Sequence, residues 1–528
     1  MRKFLPLLLA LFIFSNGFAQ PYITPESKDK MAAAIEIIKR MYVDDLNDEK
    51  MVEDAINGML KQLDPHSQYI SKDKVKEVNQ PLIGNFEGIG IQFNILNDTI
   101  IVVSTISGGP SEKLGIQSGD KIVSINKENV AGVGISNEGV RSKLLGEKGS
   151  KVDVTIKRPG AAKTIDYTIT RDKIPLYSMD ASYMATPEIG YIKLNRFSAS
   201  TADEFRTAVL DLKSKGMTSM ILDLRGNGGG YLLSAYELVD EFLSKNKMVV
   251  YYEGSASPRK ELKSTARGNF EKGKLVLLVD EGSASASEIV AGAVQDWDRG
   301  LIIGRRTFGK GLVQREFELP DGSALRLTIA RYFTPTGRSI QKPYEAGVDA
   351  YQKEINERYK HGELTNQDSI SFPDSLKYYT PNNRLVYGGG GIMPDIFFPI
   401  DTSQNSDYYI KVISRGLINS YALNYVDRHR QQMKEDYPTI KVFSKNFSAT
   451  KMVDEFVKYA AMEGVAQNEE EINRSREILE TQIKALIARN FWDTSAYYEI
   501  FNQPNPTYKK AIEVIETDVF KEMKVDNY

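Results

Sequence analysis

From residue 189 onward, short apolar strands alternate with helical patterns, and this alternation limits the fold more than any other feature of the chain. The strand-like runs read YIKLNRF, SMILDLR, LVLLVD and LIIG, and helical patterns lie between them over 201–215, 231–243 and 285–295. Alternation of this kind is typical of βα units on a largely buried sheet. The middle of the chain is therefore predicted to be an α/β domain.

The regions on either side of this domain have other patterns. Apolar residues recur at helical spacing over 28–63, short β-like runs broken by Gly, Asn and Pro follow, and the chain is helical again after about residue 400. A polar, tyrosine-rich stretch at about 342–387 has little periodicity, and we interpret it as an insertion or a mobile excursion. The predicted divisions are a signal peptide (1–19), an N-terminal helical region (20–83), a β-rich module (84–172), the α/β core (173–400) and a C-terminal helical region (401–528).

The start of the chain has the pattern of a secretory signal. Arg2 and Lys3 precede an apolar stretch over 4–14, and Gly17 and Ala19 supply small residues where a signal peptidase cleaves. The apolar stretch is about half the ~20 residues of a membrane-spanning helix, which disfavours a retained anchor. We therefore expect a periplasmic protein, either soluble or peripherally associated with the membrane.

Composition excludes several kinds of chemistry. The chain is 26% charged with a net charge of −2, which gives no indication of nucleic-acid binding. It has no cysteine, so it has no disulfide, thiol nucleophile or thiolate metal site. Its histidines are His66, His361 and His429, all outside the predicted βα units, which argues against a Ser-His-Asp triad unless a distant histidine folds back.

The segment EGSASASEIVAG at 281–292 places a serine between a buried strand and the start of a helix. Ser285 and Glu288 are three residues apart, the spacing of a capping box. The same position favours a nucleophile, because unpaired N–H groups at a helix start stabilise an oxyanion. A serine hydroxyl also needs a base to take its proton. The helix cap and the nucleophile therefore both stand as interpretations of Ser285.

Lys310, in GRRTFGKGLVQ at 304–314, is a candidate for that base. A lysine acts as a base when a desolvating environment lowers its pKa and a partner aims its amine, and Gln314 can supply the partner. A phosphate-binding loop is disfavoured because position 311 is glycine and a strand-like run follows. A solvent-facing lysine in a tight turn remains the other interpretation.

The glycine-rich segment DLRGNGGG at 223–230 follows the predicted strand SMILDL. Consecutive glycines allow backbone N–H groups to point at a ligand without obstruction by side chains. The segment can complete an oxyanion hole with the amide of Ala286. A plain strand-to-helix turn is the alternative.

Taken together, residues 28–400 resemble the carboxyl-terminal processing proteases, tail-specific serine peptidases with a Ser-Lys dyad. The resemblance implies a ClpP/crotonase-like α/β peptidase core with an inserted PDZ domain and helical N- and C-terminal regions. Its motifs are LDPHSQYIS (63–71), FEGIGI (86–91), GPSEKLGIQSGDKIVSIN (109–126), DLRGNGGG, EGSASASEIVAG, GRRTFGKGLVQ, TPTGRSIQ (334–341) and GIMPDI (391–396).

The resemblance also implies roles for single residues. Ser285 is the expected nucleophile, Lys310 the general base and Gln314 the residue that orients the lysine. Ala286 and a glycine of 228–230, with Gly228 and Gly229 as candidates, are expected to supply the oxyanion amides. The PDZ loop Gly88, Ile89, Gly90 and Ile91 is expected to bind a terminal carboxylate. No metal or nucleotide cofactor is expected.

The expected function is a periplasmic endopeptidase that recognises exposed apolar C-terminal tails and cleaves the bound polypeptide. Candidate partners are such substrates, an adaptor lipoprotein, and further copies of the chain that pair through the terminal helices; no nucleic acid is expected. Two alternatives remain: a catalytically silent PDZ scaffold, and acyl-CoA chemistry on a crotonase-like core. Leu145 departs from the family pattern, because many relatives have an arginine there.

Overall fold

The structure is a computed structural model that describes residues 23–96, 98–106 and 108–525. The predicted signal peptide lies outside these residues. Within the described ranges, no helix is long and apolar enough to cross a membrane.

The N-terminal region is helical, as its sequence pattern predicts. Side chains of Thr24 and Asn47 cap its first two helices by accepting N–H bonds in the first turn. The first helix buries none of its residues. The elements are α1 (Pro25–Met41), α2 (Asp48–Leu60), β1 (Gln68–Ile70) and α3 (Lys72–Ile83).

The β-rich module forms an antiparallel sheet in the order β3-β4-β5-β7-β8, with β6 on β5. Alternate residues of β7, Val152, Val154 and Ile156, are buried, as a half-buried strand requires. Strands β2 and β9 pair outside this sheet as a two-stranded stem. The elements are β2 (Asn85–Gly88), β3 (Ile91–Leu96), β4 (Thr99–Thr105), α4 (Pro110–Lys113), β5 (Lys121–Ile125), β6 (Glu128–Asn129), α5 (Asn137–Leu144), β7 (Lys151–Lys157), β8 (Ile165–Thr170) and β9 (Asp172–Pro175).

The core contains a six-stranded sheet in the order β10-β11-β12-β15-β16-β21, parallel except where β10 pairs with β11. Strands β11, β15 and β16 are buried along their whole length, as their continuous apolar runs predict. The elements are β10 (Met179–Met184), β11 (Ile189–Leu194), α6 (Thr201–Ser214), β12 (Ser219–Asp223), α7 (Leu232–Asp240), β13 (Met248–Gly254), β14 (Ser257–Lys263), β15 (Leu275–Val279), α8 (Ala286–Asp296), β16 (Leu301–Gly304), β17 (Leu312–Glu318), β18 (Ala324–Phe333), α9 (Val348–Lys360), β19 (Lys377–Tyr379), β20 (Leu385–Tyr387) and β21 (Ile396–Phe397).

The topology brings three separate parts of the chain to one place. Strands β12 and β15 are parallel neighbours, so the turns that follow their carboxyl ends lie side by side. A second, antiparallel sheet has the order β1-β18-β13-β14, with β17 on β18. Its strand β17 begins just after Lys310, and β1 brings the N-terminal region against β18.

The stretch at 342–387 has more regular structure than its sequence pattern indicates. It contains helix α9, in which Tyr351 and Arg358 are buried. The Arg358 guanidinium donates to the backbone carbonyls of Arg306 and Thr307 in the core. Because charged and aromatic contacts hold this helix, its sequence lacks an apolar periodicity.

The described elements of the C-terminal region, after residue 401, are all helices, as predicted. In α15, Leu479, Ile483, Leu486 and Ile487 are buried at helical spacing. Helix α17 covers the outer face of the core sheet, where Ala511 and Val514 join the cluster of Val276 and Leu278. The helices are α10 (Asp407–Ser414), α11 (Leu417–Asp436), α12 (Ile440–Asn446), α13 (Thr450–Met462), α14 (Glu469–Arg474), α15 (Arg476–Phe491), α16 (Thr494–Phe501), α17 (Pro506–Glu516) and α18 (Val519–Glu522).

Candidate active site

Ser285 lies in the turn between strand β15 and helix α8. Its backbone has φ 55° and ψ −112°, a conformation that residues with a Cβ rarely adopt. Strain of this kind costs about 1–3 kcal/mol and is concentrated at functional sites. Nucleophilic serines of other hydrolases occupy strained strand-to-helix turns, which expose Oγ. The turn therefore presents a partly exposed serine at the first turn of a helix.

Glu288 connects the serine turn to the lysine loop. Its Oε2 accepts the backbone N–H of Ser285 and that of Lys310, each at 2.8 Å. Its Oε1 accepts the N–H of Gly309 at 2.7 Å and the hydroxyl of Thr307. The side chain is fully buried, and burial raises the pKa of Glu288 while these hydrogen bonds oppose the rise. One carboxylate thus fixes the backbones of both candidate catalytic residues.

Tyr332 of strand β18 makes a second link between the two segments. Its buried hydroxyl lies 3.1 Å from the carbonyl oxygen of Ser285 and 2.9 Å from that of Lys310. The structure therefore brings the serine and the lysine together, although they are twenty-five residues apart in the sequence.

The Lys310 side chain is partly buried, and its amine has the expected partner. Nζ donates to Oε1 of Gln314 at 2.9 Å. Burial lowers the pKa of Lys310, and the nearby Arg326 lowers it further, while Asp64 and Glu288 act in the opposite direction. A lysine with a lowered pKa supplies free amine at a lower pH than an exposed lysine does, as a general base must.

The oxyanion candidates differ in how their N–H groups are used. Within the described residues, the N–H groups of Ala286 and Gly228 have no hydrogen-bond partner. The N–H of Gly229 already donates to Oδ1 of Asn227 at 2.9 Å. A Cβ on Gly229 would lie 2.8 Å from Cβ of Ser285, so this close approach requires glycine. The geometry favours Ala286 and Gly228 as donors and Gly229 as the spacer beside the serine.

The PDZ loop at 88–91 has the backbone needed to bind a carboxylate. Gly90 has φ +76°, and its carbonyl accepts the N–H of Ile106. The Ile89 carbonyl accepts both the N–H and the hydroxyl of Ser111. In the described part of the chain, the N–H groups of Ile89 and Gly90 have no partner, so they remain available to a ligand.

His66 also lies at this site, although sequence reasoning assigned it no role. Its backbone carbonyl accepts Nε2 of Gln314 at 2.6 Å, and its ring nitrogen Nε2 lies 2.9 Å from the hydroxyl of Tyr351. Its only signal in the sequence was its place in LDPHSQYIS. A distant histidine has thus folded back beside the lysine, not into a triad with the serine.

Among the described residues, no group of three or more His, Cys, Asp or Glu side chains is placed to hold a metal ion. The arrangement is a hydroxyl on a strained turn, a lysine with a lowered pKa and free backbone donors. Together with the attached β-module, it defines a PDZ-containing serine peptidase.

Comparison with known families supports the assignment as a PDZ-containing serine peptidase and identifies the peptidase family. Residues 188–350 match Peptidase family S41, and residues 88–169 match the PDZ domain family. Residues 17–74 match the family described as Activating protease CtpB N-terminal domain. Residues 408–493 match a family of unknown function.

Individual relatives carry the same assignment. The chain is 38% identical over 339 residues to carboxy-terminal processing protease CtpA of Bacillus subtilis, covering 63% of this chain and 72% of that protein. It is 37% identical over 321 residues to CtpB of the same organism, covering 60% of this chain and 66% of CtpB. The chain belongs to the carboxy-terminal processing proteases of peptidase family S41, a family of serine proteases.

A solved structure, the photosystem II D1 C-terminal processing protease, is 26% identical and overlaps 71% of this chain and 94% of its own. Its TM-score is 0.36, so the family assignment rests on the sequences.

Proposed function

We propose that this protein is a periplasmic serine endopeptidase that captures exposed apolar C-terminal tails with its PDZ domain and cleaves the bound polypeptide. Ser285 is the nucleophile, Lys310 the general base and Gln314 the residue that orients the base. The observation that carries the proposal is the shared carboxylate of Glu288, which binds the backbones of Ser285 and Lys310.

The reaction follows from the chemistry of these groups. The free amine of Lys310 takes the proton from Ser285 Oγ as that oxygen attacks the scissile carbonyl carbon. The N–H groups of Ala286 and Gly228 stabilise the oxyanion. The proton then passes to the leaving nitrogen, the C–N bond breaks, and an acyl-enzyme remains. Lys310 next deprotonates a water molecule, which attacks the ester carbonyl. The C–Oγ bond then breaks, the proton passes from Lys310 to Ser285 Oγ, and the second product leaves with a new carboxyl group.

Tail recognition is supported by the free amides of Ile89 and Gly90 in the PDZ loop. An extended peptide can add as a strand beside β3, with its carboxylate against these amides and its apolar side chains in the groove beside α5. Leu145 lies close to this loop. A Cβ atom added at Gly88 would be only 3.2 Å from Cδ2 of Leu145. The loop therefore has an aliphatic neighbour where many relatives have an arginine.

The test is cleavage of an unstructured polypeptide with an apolar free C-terminus by the parent, Ser285→Ala and Lys310→Ala. Loss of the base is expected to slow cleavage by about 10²–10⁴-fold. An amidated C-terminus is expected to raise KM, because it removes the carboxylate that the PDZ loop binds. Undiminished cleavage by Ser285→Ala would overturn the proposal. If the parent binds tails without cleaving them, the scaffold alternative is correct.

Export to the periplasm is proposed from the signal pattern of residues 1–19. Fractionation of cells that produce the full chain tests it. The periplasmic fraction is expected to hold a mature protein whose N-terminus is Gln20, and retention of Met1 in the cytoplasm would contradict the proposal.

Self-association is proposed through helix α1, and an adaptor lipoprotein is proposed as a further partner. The helix buries none of its own residues, and Ile37, Ile38 and Met41 are 61%, 48% and 74% exposed. Sedimentation of the mature protein is expected to give a species larger than a monomer. Ile37→Glu is expected to dissociate it, and a parent that sediments as a monomer would contradict self-association.

A further inference from the structure

The side-chain amide of Gln314 must face one particular way for the lysine to act as a base. An amide has an oxygen that accepts and a nitrogen that donates, and only the oxygen can accept from an amine. Here Oε1 faces Nζ of Lys310 at 2.9 Å, while Nε2 donates to the backbone carbonyl of His66 at 2.6 Å. Because a carbonyl can only accept, the His66 carbonyl selects the orientation of the Gln314 amide.

The backbone of His66 is itself held by a carboxylate. Asp64 accepts the N–H groups of His66 and Ser67 at 2.8 and 2.9 Å, and the Ser67 hydroxyl at 2.6 Å. The hydroxyl of Thr328 in β18 donates to the same carboxylate at 3.1 Å. The turn at 64–67 is therefore fixed against the sheet that carries Gln314.

The ring of His66 is held by the insertion. The hydroxyl of Tyr351, in helix α9, lies 2.9 Å from His66 Nε2, and the two rings meet edge-to-face at 5.2 Å. The Tyr351 ring also meets Phe308 at 5.9 Å, two residues before Lys310. Tyr351 is 4% exposed, and its hydroxyl interacts with His66 and with the side chain of Gln341 rather than with solvent.

We propose that His66 and Tyr351 are positioning residues for the general base: Tyr351 fixes His66, whose carbonyl holds the Gln314 amide so that its oxygen faces Lys310. This inference rests on the proposed dyad and deepens it. It makes the base dependent on two regions outside the core strands, the N-terminal segment and the insertion.

The charges around the base agree with this arrangement. Lys310 faces Asp64 and His66 of the N-terminal segment, Glu288 of α8 and Arg326 of β18. The ammonium of Lys342 lies 4.1 Å from the centroid of the Tyr351 ring, and its charge also lowers the pKa of His66. Burial lowers the pKa of His66 to about 4, and the charge of Lys310 contributes to the shift. The imidazole is therefore neutral at pH 7 and adds no charge beside the lysine.

Tyr351→Phe is the first test, because it removes one hydroxyl and keeps the ring. Loosening His66 lets the Gln314 amide rotate and lets water reach Lys310. Misplacement of a catalytic group by ~1 Å can cost 10²-fold, so we expect kcat to fall about tenfold for this partial loss, with KM unchanged. The acid limb of the pH profile of kcat is expected to move to higher pH. Tyr359→Phe on the same helix, where the tyrosine is 55% exposed, is the matched control and should leave both unchanged.

Gln314→Glu is the second test and addresses the carbonyl contact directly. A glutamate can still accept from Lys310, but it cannot donate to the His66 carbonyl. Its negative charge also raises the pKa of Lys310, so kcat is compared on the alkaline plateau of each pH profile, where the amine is neutral. A loss of kcat larger than that of Tyr351→Phe, with a melting temperature near the parent's, is the expected result. Parent-like kcat in Gln314→Glu would overturn the inference.

The proposed dyad and the proposed positioning role can be tested separately. If Ser285→Ala and Lys310→Ala cleave as the parent does, the dyad is wrong and the positioning role falls with it. If those two variants are inactive while Tyr351→Phe keeps the parental kcat and acid limb, the dyad stands and only the positioning role is overturned.

Discussion

At the scale of single residues, the serine turn shows how a helix cap and a nucleophile can share one position. The cap contact from Glu288 goes to the backbone N–H of Ser285. The capping box is complete, because the Ser285 side chain also faces the backbone N–H of Glu288. A hydroxyl that accepts a hydrogen bond keeps its own proton to give to a base, so the cap and the proposed catalytic role can share Ser285. The same carboxylate reaches the lysine loop, which the spacing of Ser285 and Glu288 alone does not predict.

The pH dependence of cleavage follows from the lowered pKa of Lys310. Only the neutral amine can accept a proton, so kcat/KM is expected to rise with pH along an acid limb whose midpoint lies below 10.5, the usual lysine value. Arg326 contributes to the lowering, so Arg326→Met should move that limb to higher pH. Arg331→Met, on the exposed side of the same strand, is the control. A pH profile of cleavage for the three proteins checks the prediction, and an unmoved limb in Arg326→Met contradicts it.

The proposed oxyanion donors illustrate what a sequence cannot specify. Three consecutive glycines at 228–230 are equivalent as letters, and they differ only in their contacts. The side chain of Asn227 uses the N–H of Gly229 and leaves that of Gly228 free. The sequence does not show that the Asn227 side chain folds back over its own turn and accepts the N–H of Gly229.

At the scale of elements, helix α8 carries the site at one end and is anchored at the other. Its last residue, Asp296, pairs with Arg338 at 2.7 Å, and both side chains have 0% exposure. The Asp296 carboxylate also accepts the N–H and hydroxyl of Thr336. This buried pair fixes the direction in which the helix meets the serine turn.

Removal of one partner of that pair should be costly. Arg338→Met leaves Asp296 without its counter-charge, and breaking a buried pair in this way typically costs about 3–5 kcal/mol. Lys360→Met breaks a solvent-exposed pair with Glu357 and should leave stability close to that of the parent, because solvent screens such pairs. Urea unfolding of both variants measures the difference, and equal stabilities would contradict the role given to Arg338.

Some of the strands and helices could be predicted from the sequence, and others could not. The buried strands and the helices after β11, β12 and β15 were predictable, because apolar runs and helical spacing reflect burial directly. Helix α9 was missed, since Arg358 and Tyr351 anchor it through polar and aromatic contacts. His66 was missed as a site residue because its position depends on the pairing of β1 with β18, more than 250 residues away.

At the scale of the whole molecule, the C-terminal helices hold the PDZ domain as well as covering the core. Leu423 of α11 is buried against Leu96 and Ile101 of the PDZ sheet. Beside this contact, Asp427 lies 3.6 Å from Lys121, and Arg430 donates to the hydroxyl of Ser118 at 3.0 Å. The region that matches a family of unknown function therefore contributes to the position of the PDZ domain.

Leu423→Ala should loosen this contact without unfolding the core. Loss of a buried leucine typically costs 2–5 kcal/mol where the site cannot collapse, and here the loss falls on the contact between two regions. Hydrogen exchange is expected to accelerate in β3, β4 and α11 and to stay unchanged in β15. Ile410→Ala, at a position 57% exposed on α10, is the control. Unchanged exchange in the PDZ strands of Leu423→Ala would contradict the contact.

The proposed mechanism requires an acyl-enzyme on Ser285, and this intermediate can be trapped. The enzyme is mixed with a polypeptide that has an apolar free C-terminus, quenched in acid within the first turnover, and analysed by peptide mass spectrometry. The account predicts that the N-terminal fragment of the substrate is esterified to the enzyme peptide that contains Ser285, and that Lys310→Ala gives no adduct on that timescale. Turnover without an adduct at Ser285, or an adduct on another residue, would contradict it.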